Sequence, residues 1–271
     1  MKTRLFAFVG AVLLGLSAAI ATTGAHAASI LDDIKSRGVL RAVTLTTIPP
    51  FAYKDESGEL VGLDIDFYKL VARELLGDET KVEFVSVSGD GRWPAIVGRQ
   101  GDLGIGTLYM KRANNVAFTP GLYDVGITLL VAQDSPIQSL DDVNKAEVSV
   151  ANLNNPQMAD RAKTYFPNAT LQTFDQVSAQ FLALRSKRVQ AMQIDGPIAD
   201  HFAMQNKDEV RVLNATLGTQ LVNAIYSDPN DPRWNAWLAT FVQELKYGSL
   251  YGDYRTICTK WLGKEPPPQR P

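Results

Sequence analysis

The chain has very few residues suited to covalent or metal chemistry. It holds one cysteine, Cys258, and two histidines, His26 and His201, in 271 residues. A single thiol cannot form an internal disulfide, so the fold must rest on its core. HExxH, CxxC, GxSxG and GxxxxGK[ST] are all missing, which removes the usual zinc, redox, serine-hydrolase and phosphate-loop readings. Gly104-Ile-Gly106 lacks the third glycine of a dinucleotide loop. Basic excess is missing too: 27 Lys and Arg stand against 29 Asp and Glu, a net charge of −2. A nucleic-acid partner is therefore not expected. With 45% hydrophobic and 21% charged residues, the chain is an ordinary globular one and not a disordered one.

Long apolar runs are rare as well, and the one present is short. Lys2 and Arg4 precede an apolar stretch over residues 5–20, followed by Ala25-His26-Ala27. Positive start, short apolar middle and small-residue end describe an export signal cleaved after Ala27. The rival reading is a membrane anchor, but the stretch falls short of the ~20 residues a span needs. Removing 27 of the 271 residues leaves 244 and takes away Lys2 and Arg4, so the net charge moves from −2 to −4. No cysteine stands at the cleavage point to accept a lipid. The expectation is a free periplasmic protein with no membrane insertion after cleavage. Cys258, between Ile257 and Trp261 in a helical apolar pattern, reads as a small core residue.

The rest of the chain alternates strand and helix patterns. Residues 39–44, 81–87 and 103–107 read as strands, with helices over 64–76 and 93–98 between them. Asp64 is placed to cap the first of these helices. Ile48-Pro-Pro-Phe51 must turn, because proline lacks a backbone donor. Asp55-Glu-Ser-Gly58 reads as a polar hairpin turn. A second strand–helix series covers about 126–219, with strands at 129–132, 148–151, 169–174 and 191–194. A strand at 224–226 and helices over 232–247 and 251–262 close the chain. The fold class is α/β with parallel sheets. No flexible linker is visible, so two lobes would be joined by strands.

Two charges at element ends stand out. Arg112 follows the 103–107 strand, and Asp195 ends an apolar strand, where ligands of open α/β sheets bind. Together they suit a zwitterion, the arginine taking a carboxylate and the aspartate an ammonium. On spacing alone, two unrelated surface charges are the better reading. His201, after Asp200 in a helical stretch, reads as a surface residue.

Longer motifs add a family resemblance. GLDIDFYKLVAREL, from Gly62 to Leu75, resembles the bacterial extracellular solute-binding proteins, family 3, which bind polar amino acids. GVLRAVT before PPFAY, RWPAI, KRANNVAFTP, ITLLVAQDSPIQSLDDV, VQAMQIDGPIA and GSLYGDYRTICTKWLG follow in that family's order. The resemblance implies a type II periplasmic-binding fold, two lobes closing on a ligand about two crossover strands. It sets the lobes at 28–125 with 220–271, and at 126–219. It implies a monomer without cofactor or metal that hands an amino acid or related small carboxylate to an ABC permease. Arg112 resembles the arginine that grips the ligand carboxylate, and Thr107 its hydroxyl companion. Asp195 resembles the aspartate that takes the α-amino group. Asn154 stands where the second lobe offers hydrogen bonds to the carboxylate. Arg92 is similar to an arginine found in relatives with acidic ligands, or else it pairs with Asp90 or caps a helix. Ile48 and Gly89 stand where many relatives place rings around the ligand side chain, Leu153 where a glycine is usual. Trp93 reads as packing. Two other functions fit the same resemblance: a dehydratase acting on prephenate-like acids, and an accessory of periplasmic quinoprotein alcohol dehydrogenases.

Overall fold

The computed structural model describes residues 29–87, 91–108, 115–154, 156–218 and 221–266. The expected leader, Gly89, Asp90 and Arg112 lie outside the described residues. Two main sheets form, each with helices packed against it. In the first, Leu40–Thr44 lies between Val82–Ser86 and Leu103–Thr107 and runs parallel to both. Leu221–Ser227 joins antiparallel to Leu103–Thr107, and Ala117–Phe118 and Tyr123–Val125 pair with it in turn. The second sheet has the order Thr170–Phe174, Ser149–Leu153, Ala191–Asp195, Ile127–Ala132, Val210–Val212. Its first three strands are parallel and its last two antiparallel.

The parallel strands are those expected from the alternation of patterns. The antiparallel additions follow from the route of the chain. It leaves the first sheet after Tyr123–Val125, passes Gly126 and enters the second as Ile127–Ala132. It returns through Leu217 and Gly218 into Leu221–Ser227. The two passages lie side by side, with Leu221 opposite Val125 and Asn223 opposite Tyr123. The result is two α/β lobes joined by two crossovers.

A small three-stranded sheet, Thr47–Ile48, Ala52–Lys54 and Leu60–Val61, rides on the first lobe. The proline turn and the Asp55–Gly58 turn separate its strands as expected. Helix Leu63–Leu76 begins one step earlier than expected. Gly62, at φ 140, is its N-cap, and Asp64 lies inside the first turn. The Asp64 N–H already donates to the Phe51 carbonyl, and its carboxylate turns inward instead of capping. Ser139 does cap its helix, forming a reciprocal box with Asp142.

The first-lobe core gathers around Trp234, which is fully buried in helix Pro232–Tyr247. Its indole N–H donates to the Asp102 carbonyl at 2.9 Å, so the helix is keyed to the end of a strand. Asp231 accepts from the backbone N–H groups of Trp234 and Ile30 and so fixes the start of the chain's first described helix, Ile30–Arg37. Cys258 is 2% exposed, in keeping with its expected core role.

Two buried polar links cross this core. The Tyr68 hydroxyl donates to the Val43 carbonyl at 3.0 Å and accepts from the Ile105 N–H at 2.7 Å. It thereby joins two neighbouring strands to the helix above them. The second link runs from the crossover to the same helix: Asn223 donates to the Tyr123 hydroxyl at 2.8 Å, which donates to Asp64 at 2.7 Å. Burial pushes the Asp64 carboxyl up to about 7, against the opposing effects of the Tyr123 hydrogen bond and the Arg92 charge.

Tyr68→Phe strips partners from two buried backbone groups and should cost about 1–3 kcal/mol in urea unfolding. Asp64 binds its proton more tightly folded than unfolded, so its ionisation lowers stability as pH rises from about 4 to about 7. Asp64→Asn removes that dependence. The urea midpoint of the variant should gain on the wild type steadily across that window, and parallel curves would refute the assignment.

Candidate functional site

The lobes meet where their parallel strands end. Thr47 in the small sheet donates to the Gln176 side chain at 3.3 Å, just ahead of helix Val177–Arg185. Ile48, half-buried, stands beside Thr47 on the strand that touches this helix, at the lip between the lobes. Further along, helix Gly196–Gln205 lies against the first lobe. His201 is half-buried, with its ring 5.8 Å from Tyr53 and 6.2 Å from Phe202. Burial lowers its pKa. The surface position expected for His201 is thus corrected, because the partner surface comes from a distant part of the chain. Asp200, next to it, pairs with Lys264 at 3.2 Å.

Asp195 ends its strand directly opposite Ile127 of the first crossover and is the N-cap of helix Gly196–Gln205. Its carboxyl makes no capping hydrogen bond. Burial pushes it up to about 6, while Arg92 and Arg161 pull it back down. It therefore lies in the field of a cation from each lobe. Arg92 opens helix Arg92–Val97 with its guanidinium 5.4 Å from the Trp93 ring centre. One guanidinium nitrogen lies 3.4 Å from where a Cβ on Gly106 would stand, so Arg92 runs along the end of the Leu103–Thr107 strand. It is not the cap of its helix, a position that Gly91 holds. Arg92 acts electrostatically on Asp64 below as well as on Asp195 across the cleft.

Thr107 ends the same strand, half-buried, opposite Asn223 of the return crossover. Asn154 is engaged differently: it is exposed, and its amide donates to Asp175 at 2.9 Å. Leu153 is half-buried against the larger hydrophobic cluster, to which Ile48 also belongs. Trp93 packs as expected, 4.4 Å from the ring of Tyr226 and 6.1 Å from that of Phe118. The structure thus sets Arg92 within electrostatic reach of Asp195, places Thr107 at the end of the strand along which Arg92 runs and Ile48 at the lip, and turns Asn154 toward Asp175.

Sequence reasoning missed Arg161. It sits on helix Pro156–Tyr165, which the run Asn154-Asn155-Pro156 disguises as a turn. Proline at the first helical position was the available signal. A cavity of about 510 Å³ borders the crossovers, lined by Tyr123, Gly126, Gly196, Tyr254 and Cys258 among others. Among the described residues no cluster of side chains is suited to a metal, and no helix is long and apolar enough to cross a membrane.

Comparison with known proteins agrees with this architecture. The glutamine-binding protein of Geobacillus stearothermophilus is 30% identical over 193 residues, covering 70% of this chain and 73% of that one. The L-cystine-binding protein of Escherichia coli is 22% identical over 263 residues, 96% of each chain. Among solved structures, the ancestral amino acid-binding protein AncCDT-1, described as a precursor of cyclohexadienyl dehydratase, superposes with a TM-score of 0.77. It is 32% identical and covers 86% of this chain and 100% of its own. The cysteine-binding protein of Campylobacter jejuni superposes at 0.76 with 26% identity, covering 87% and 93%. The two-lobed type II binding fold is shared with these proteins. The family model for bacterial extracellular solute-binding proteins, family 3, matches residues 40–264. The chain belongs to the bacterial extracellular solute-binding proteins, family 3.

Proposed function

We propose that this protein is a periplasmic amino-acid-binding protein that captures an amino acid or related small carboxylate and hands it to an ABC-type permease. The observation that carries this reading is Asp195, a half-buried residue at a strand end whose desolvated carboxyl lies in the field of Arg92 from the opposite lobe. A carboxylate held dry between lobes suits an ammonium group, and closure excludes water around the pair. Arg112 and Thr107 would hold the ligand carboxylate, with Asn154 nearby in the second lobe and Ile48 at the lip. Arg92 would face the ligand side chain. The chain would act as a monomer without cofactor or catalysis, exported by a signal cleaved after Ala27. Its lobes would comprise 28–125 with 220–271, and 126–219. The relatives named for glutamine, cystine and cysteine support the ligand class.

A second reading draws on the same carboxyl. A carboxyl raised to about 6 by desolvation can serve as a general acid. That property, with the likeness to a precursor of cyclohexadienyl dehydratase, favours a dehydratase. Turnover of prephenate or arogenate by the purified protein decides for the enzyme, and its absence decides against it. If no amino acid stabilises the protein, an accessory role in a quinoprotein alcohol dehydrogenase system takes its place.

A thermal-shift screen of the twenty amino acids and cystine should yield at least one that raises the melting temperature. At one hundred times its dissociation constant such a compound adds about 2.7 kcal/mol. For that compound, Asp195→Asn and Arg112→Ala should each weaken binding by roughly ten- to a hundredfold in calorimetry, with the apo melt unchanged. Wild-type affinity in both variants would remove the zwitterion reading. The pH dependence has a definite sign. Asp195 attracts an ammonium only when ionised, so affinity is full well above pH 6 and falls as pH drops through about 6. Asp195→Asn should flatten that fall.

A further inference from the structure

Arg161 has no role in the recognition just described, yet it occupies a crowded position. Its guanidinium donates to the carbonyl of Leu217, a fully buried residue of the return crossover. The Leu217 N–H donates to the Ile127 carbonyl at 2.8 Å. Ile127, in the outgoing crossover, is the strand partner of Asp195. One layer at the hinge therefore runs Asp195, Ile127, Leu217, Arg161, and it includes both crossovers.

The seat of the guanidinium is shaped for it. Gly218 has a φ of +86, and a Cβ there would stand 2.8 Å from an Arg161 nitrogen and 3.2 Å from the Tyr165 hydroxyl oxygen. Only a residue without a side chain lets the crossover lie flat on this pair. The Arg161 Nε is buried and has no hydrogen-bond partner. Its hydrogen-bond acceptor, the Leu217 carbonyl, is neutral and leaves the positive charge of the guanidinium to act at longer range.

We propose that Arg161 is a positioning residue of the cleft: anchored on the return crossover, it supplies the counter-charge that keeps Asp195 a carboxylate ready for an ammonium ligand. This rests on the reading of Asp195 as the ammonium site. Among the described residues, the charged groups acting on Asp195 are Arg92 from the first lobe and Arg161 from its own. Arg92 reaches it across the cleft, so its influence changes as the lobes part. Arg161 belongs to the same lobe and moves with Asp195. It therefore acts in the open form too, when the incoming ligand first meets the carboxylate. The anchor also couples the two events. Hinge motion is absorbed by a few backbone positions in the crossovers, and Leu217 and Gly218 are where the guanidinium is held.

The test is titration of Asp195 in the ligand-free protein, following its side-chain carboxyl by carbon-13 NMR in aspartate-labelled protein, with Asp195→Asn to identify the signal. Arg161→Gln should move the midpoint up by a few tenths of a pH unit, as expected for a charge beyond contact distance, while Arg161→Lys, which keeps the charge, stays near wild type. If Arg161→Gln does not fold, Gly218→Ala takes its place: a methyl in the guanidinium's seat displaces the charge and should also raise the midpoint. An unmoved midpoint in the folded variant overturns the proposal. Because no ligand is used, that result is separate from a failed amino-acid screen, which would count against the binding reading alone.

Discussion

The antiparallel pairing of the two crossovers is the constraint on which the other features depend. Val125 lies opposite Leu221, Asp124 opposite Val222 and Tyr123 opposite Asn223. These hydrogen bonds make the link between lobes a two-stranded ribbon, stiffer than two separate tethers. A ribbon bends readily across its plane and resists stretching. It therefore permits the lobes to rock while keeping the same strand ends facing one another. The pairing continues on the other side, where the Gly196 N–H donates to the Gly126 carbonyl at 2.6 Å. Asp195 is placed by that continuation, one residue from the point where the chain changes lobes.

Desolvated charge is concentrated around the same ribbon. Arg92 acts on both Asp64 and Asp195, and Arg161 acts on Asp195. Each carboxyl is pushed up by burial and drawn back by a guanidinium. Such an arrangement costs stability in comparison with an apolar filling. Asp102 repeats it away from the cleft, raised by burial and drawn back by Arg37, which donates to it at 2.6 Å. Asp231 differs: it is buried too, but hydrogen bonds from Trp234, Ile30 and Ser29 outweigh the burial and hold it below the usual range.

The fold was largely legible in the sequence because its elements are local. The three parallel strands of each sheet carry apolar runs between helical patterns, and the proline turn and the Ser139 cap mark themselves chemically. Contacts between distant segments were not legible. Asp64 looks like a cap until Tyr123, fifty-nine residues later in the chain, is seen to claim it. His201 looks like a surface residue until Tyr53 covers it. Helix Pro156–Tyr165 was hidden by a run of residues that reads as a turn, and Arg161 with it. At the site, Asp195 was readable as a charge ending an apolar strand. The pairing of Asn154 with Asp175 depends on two loops meeting, which no local pattern records.

The solitary thiol has a practical consequence. Cys258 is buried under the crossovers, and desolvation pushes it up to about 12, so it is almost never a thiolate at neutral pH. The folded chain should therefore react little with thiol-directed dyes. A cysteine introduced on each lip, for instance in place of Lys54 and Lys207, would be a clean pair of attachment points for spin labels or fluorophores. Distances between the lobes could then be followed in solution without first removing the native thiol.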